Sequence, residues 1–147
     1  MKAIDIYEWS AGDKADFIKP FQNNEAMFKR AQEFWTSLES EAIILTGIFI
    51  LCGVFVAWCY YKPYNEIPGR HYKLKYWSIF LLVALVLSFV LTLLFEFITL
   101  NTGIGDSSIL LVKIALNNAL YAAGVYFLTS LIWCNFLPTN ACRIFKF

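Results

Sequence analysis

A chain of 147 residues that is 59% hydrophobic and 18% aromatic, with only 16% charged residues, is too apolar for an ordinary water-soluble domain. Twelve Lys and Arg balance eleven Asp and Glu to a net charge of +1, too few bases in any one place for a nucleic-acid groove binder. One histidine, no HExxH, no glycine-rich phosphate loop and no nucleophile paired with a base leave an enzyme little to work with, so no catalytic residue is assigned.

Residues 1–41 form an extramembrane segment with eight acids and five bases. Its first twenty residues hold Asp5, Glu8, Asp13, Lys14, Asp16 and Lys19 without an apolar run, which is not the pattern of a cleavable signal peptide. Ser10 and Asp13 have the spacing of a capping box with Asp in place of Glu or Gln, predicting a short helix that ends before Pro20. Asn23 or Asn24 can cap the next helix, on which Met27, Ala31, Phe34, Trp35 and Leu38 recur at helical spacing while Lys29, Arg30, Glu33 and Glu39 take other faces. That amphipathic face assigns Met27, Phe34, Trp35 and Leu38 to docking a partner or another copy, or else to anchoring at the membrane interface. No Pro or Gly falls between Glu25 and Thr46, so the helix either enters the first span unbroken or bends at Ser37–Ser40.

Three apolar stretches follow: 42–61 without a charge, 77–100 with Glu96 alone, and 109–133 with Lys113 alone. At about 1.5 Å rise per residue, roughly 20 residues cross a hydrocarbon core of about 30 Å, and each stretch is long enough. The expected fold is an all-α integral membrane protein, with three transmembrane helices in residues 42–133 behind the amphipathic segment and a short interfacial tail over 134–147. A soluble bundle would leave three such helices with too little polar surface.

The first linker carries Lys62, Arg70, Lys73 and Lys75 against Glu66, with His71 beside them, so it reads as cytoplasmic. The amino terminus and the 101–108 loop then lie outside, and the tail with Arg143 and Lys146 inside. A bacterial inner membrane with a periplasmic amino terminus fits this best. Pro63 and Pro68-Gly69 predict turns in the linker. Trp58, Tyr60, Tyr61, Tyr64, Tyr72, Tyr76, Trp77 and Trp133 predict an aromatic belt at the headgroup level.

Ala84, Ser88, Thr92 and Glu96 stand four apart, as do Lys113, Asn117 and Tyr121, with Asn118 and Gly124 close by and Ala115, Ala119 and Ala123 alongside. Ser88, Thr92, Glu96, Lys113, Asn117 and Tyr121 are therefore the candidate helix–helix or pore-facing residues. Glu96 and Lys113 fall at similar depth in a hairpin of the last two spans and are a candidate ion pair. Gly53 and Ala57 add a small-xxx-small step. Three helices can pair only some of these faces internally, which points to a homo-oligomer or a hetero-oligomeric complex in the lipid bilayer. Cys52, Cys59, Cys134 and Cys142 have no CxxC spacing, so neither a metal nor another cofactor is expected.

Two functions compete: a non-enzymatic structural or assembly subunit of a multiprotein membrane complex for secretion, transport or energy coupling, and a homo-oligomeric pore. In topology alone the chain is similar to the three-span phage holins, a resemblance that would imply a lysis pore or a membrane-permeabilising effector. Half of a small transporter ranks below both, because the proline-glutamine motif of three-helix sugar transporters is missing.

Overall fold

The computed structural model describes residues 3–7, 12–66, 73–100, 104, 107–139 and 145. After a 3-10 turn, Ala3–Tyr7, come α1 (Lys14–Ile18), α2 (Glu25–Cys59), α3 (Leu74–Thr99) and α4 (Ser107–Phe136). No strand occurs among the described residues, and α2, α3 and α4 all pack on one another.

Asn24 starts α2: its extended backbone lets its side-chain oxygen accept from the Met27 N–H at 3.3 Å. Asp13 precedes α1 without a side-chain cap bond; Ser10, its capping-box partner, lies outside the described residues. Pro20 does not stop the chain from turning, because it enters a 3-10 turn, Lys19–Phe21, at a position whose N–H has no partner to lose.

Of the two courses open to α2, the unbroken one holds. Its 35 residues make a rod of about 52 Å at 1.5 Å per residue, well beyond the roughly 30 Å of a bilayer core. Ser40 and Thr36 bond back to the carbonyls of Ser37 and Gln32 without breaking it. The turn expected at Pro63 is also absent: a wider π turn, Tyr60–Tyr64, absorbs the proline and prolongs the helix. Pro68 and Gly69 lie outside the described residues.

The close approach of α2 to α4 depends on Gly53. A Cβ there would lie 2.7 Å from the Val125 side chain and 2.8 Å from the Ala122 carbonyl oxygen, so only a bare backbone fits. Gly124, by contrast, faces open space.

Outward, the helices are apolar. Ile98 is 82% exposed, Ile43 72% and Leu51 70%, and the outer face of α3 shows Leu82, Val83, Val86 and Val90. Water-soluble monomers rarely display continuous apolar surface on this scale.

The expected aromatic belt is in large part an interior cluster. Tyr60, Tyr61 and Trp77 are buried, with Tyr61 stacked on Trp133 at 5.7 Å, Tyr60 packed on Phe80 at 5.3 Å and Trp77 on Tyr126 at 5.4 Å. Trp58 is exposed, as a belt residue would be, and Tyr72 lies outside the described residues. The rings turn inward because three helices converging at this end offer them more contact than the surface does. Phe145 returns from the tail to join Trp77 and Phe127.

Candidate functional site

At the other end of the bundle the polar residues meet. Asn118, fully buried on α4, donates from Nδ2 to the Leu45 carbonyl of α2 at 3.1 Å and to Thr92 Oγ1 of α3 at 2.9 Å. Its Oδ1 accepts from the Tyr7 hydroxyl at 2.6 Å, and its carbonyl accepts from Ser88 Oγ at 3.2 Å. One side chain thus joins the 3-10 turn to all three long helices. Tyr121 adds a bond from its hydroxyl to the Ile6 carbonyl at 2.9 Å.

The α3 stripe sits where its spacing put it: Ala84, Ser88, Thr92 and Glu96 are all fully buried. Ser88 and Thr92 bond to Asn118 of the same chain, so these two side chains do not themselves call for another copy, another subunit or a water path. The α4 stripe divides. Asn117 is buried and Tyr121 is half-buried against the 3-10 turn, but Lys113 is exposed. On α4 the buried row runs through Leu111 and Asn118, and Lys113 lies off it.

The Glu96–Lys113 ion pair does not form, for the same reason. Glu96 is enclosed by the bundle while Lys113 leaves from the outer side of α4. Among the described residues the ion pair present is Lys62–Glu66, at 3.9 Å with both side chains largely exposed, where it contributes about 0–1 kcal/mol.

The docking face on α2 is likewise occupied from within. Phe34, Trp35 and Leu38 are buried, with Phe17 of α1 stacked on Phe34 at 5.5 Å and packed on Trp35 at 5.5 Å; Met27 is half-buried. What α2 leaves open is its polar side, where Lys29, Gln32, Glu33, Thr36, Ser37 and Ser40 line a shallow depression.

Sequence reasoning passed over Asn118 as the centre and missed Tyr7. The first had a signal: Ser107, Leu111, Asn118, Ala122, Tyr126, Ser130 and Cys134 form a row along the whole of α4, longer than the one chosen, and every member is buried. Tyr7 had none, since it meets its partner 111 residues along the chain.

No three His, Cys, Asp or Glu side chains cluster as metal ligands among the described residues, and Cys52, Cys59 and Cys134 are free thiols. The arrangement defines an all-helical protein with three helices long and apolar enough to cross a membrane and one sealed polar centre. Comparison with protein-family models, with curated proteins and with solved structures finds no match.

Proposed function

We propose that this chain is a non-enzymatic, three-span structural subunit of a multiprotein membrane complex, oriented with its amino terminus outside and its tail in the cytoplasm. The observation that carries the reading is the unbroken α2. A helix that continues for several turns beyond its apolar stretch holds a polar face, Lys29 to Ser40, at a fixed height and angle, and a rigid presented surface is what a partner subunit needs. The apolar side of that arm is packed by α1, so the partner would meet the polar side, a change from the docking residues expected from the sequence. Orientation rests on Lys62, Lys73 and Lys75 in the linker and on Arg70 beside them. The pore reading has less support, because Ser88, Thr92 and Asn118 are bonded to one another inside one chain.

Native mass spectrometry of the particle extracted from its membrane in mild detergent tests this reading. Other chains in fixed ratio, lost when Glu33 and Lys29 are reversed in charge, are the expected result. A ring of this chain alone that conducts ions in liposomes would replace it with the pore.

A further inference from the structure

Glu96 stands one turn before the end of α3, fully buried, and neither of its carboxyl oxygens has a hydrogen-bond partner. The positions below it on the same face are small, and the hydroxyls of Ser88 and Thr92 are both bonded to Asn118. Packing alone calls for one more small residue here. A carboxyl without a partner costs free energy in either protonation state, so its presence calls for a counterpart that the described residues do not provide.

Among the described residues Tyr7 of the 3-10 turn is the titratable side chain set against Glu96, while Lys113 is exposed. No base among the described residues is paired with Glu96. Over this end lie Ile4, Tyr7, Leu100 and Ile104, members of one apolar cluster. Ala3–Tyr7 is a single short turn, seated by the Tyr7–Asn118 and Tyr121–Ile6 hydrogen bonds and by the burial of Ile4 and Tyr7. A single short turn held by few bonds opens locally at a fraction of the free energy that parts long packed helices.

We propose that Glu96 is a gated carboxyl site for a small monovalent cation, a proton or sodium, and that the Ala3–Tyr7 turn is the cover separating it from the aqueous phase on the amino-terminal side. Carboxyl oxygens bind either ion, and Thr92 Oγ1, the Tyr7 hydroxyl and Asn118 Oδ1 are the nearby oxygens of the same polar centre. Occupancy supplies the missing counterpart, and reaching it requires the turn to lift. The site stands independently of whether the chain joins a complex.

The test uses the full chain in liposomes, with Glu96 adducts counted by mass spectrometry. A hydrophobic carbodiimide should label Glu96, more slowly when sodium is added if sodium is the ion, and with a response to pH but not to sodium if the proton is. A water-soluble carbodiimide with a charged amine should reach Glu96 slowly in the parent and at least about tenfold faster in Tyr7→Ala, as expected for local opening. Tyr7→Phe keeps the ring while losing the hydroxyl bond, so it should fall between them and guards against an Ala variant that fails to fold. Absence of any Glu96 adduct with the hydrophobic reagent overturns the site, and equal rates of water-soluble labelling in parent and variants overturn the gate.

Discussion

The two ends of the bundle are held by different physics. At the amino-terminal side one asparagine joins four segments through directional bonds, so each partner depends on the others staying in place. At the linker side ten aromatic rings share the load, and polar bonds such as Trp77 Nε1 to Ser130 Oγ at 3.2 Å and the Tyr126 hydroxyl to the Trp77 carbonyl at 3.2 Å are additions to packing. A hydrogen-bonded hub fails as a unit, whereas an aromatic cluster loses strength by increments.

The sharpest way to break the contrast is Asn118→Leu. It strands the Thr92 hydroxyl, takes one bond from the Tyr7 hydroxyl and should cost about 3 kcal/mol in a denaturant titration in mixed micelles, with the 3-10 turn released to protease at the same time. Gly53→Leu should follow, at about 1–3 kcal/mol, because backbone atoms of α4 must retreat from the new side chain. It loosens both ends together and so separates helix packing from hub loss. Tyr126→Phe should cost only about 0.5–1.5 kcal/mol, since the ring stays in its cluster and one hydroxyl bond goes. If it costs as much as Asn118→Leu, the two ends do not differ as described. Smallest is Lys113→Leu, within about 0.5 kcal/mol by the same titration, as befits an exposed side chain that no acid among the described residues answers. A large loss would restore its pairing with Glu96.

How far the sequence could be read follows the range of the interactions. The long helices were legible because an uncharged run of twenty residues reports local solvent preference, and Asn24 announced the start of α2 within three residues. The α3 stripe was legible for the same reason, its four members lying on one helix. What failed was choice of partner. Spacing told that Ser88 and Thr92 avoid lipid but not that Asn118, rather than Asn117, would meet them, because a 100° step decides that and neighbouring asparagines look alike in sequence. The face of Phe34, Trp35 and Leu38 was correctly seen as sticky, yet its occupant, Phe17, came from the same chain. Pro63 misled because a π turn can take in a proline that an α-helix would refuse.

The Tyr7–Asn118 bond also sets an order in time. It closes a loop of 111 residues, so the 3-10 turn cannot take its final seat until α4 is in place. Because Asn118 also ties α2 and α3 to α4, Tyr7 takes its seat on a residue that the meeting of the three helices has already fixed.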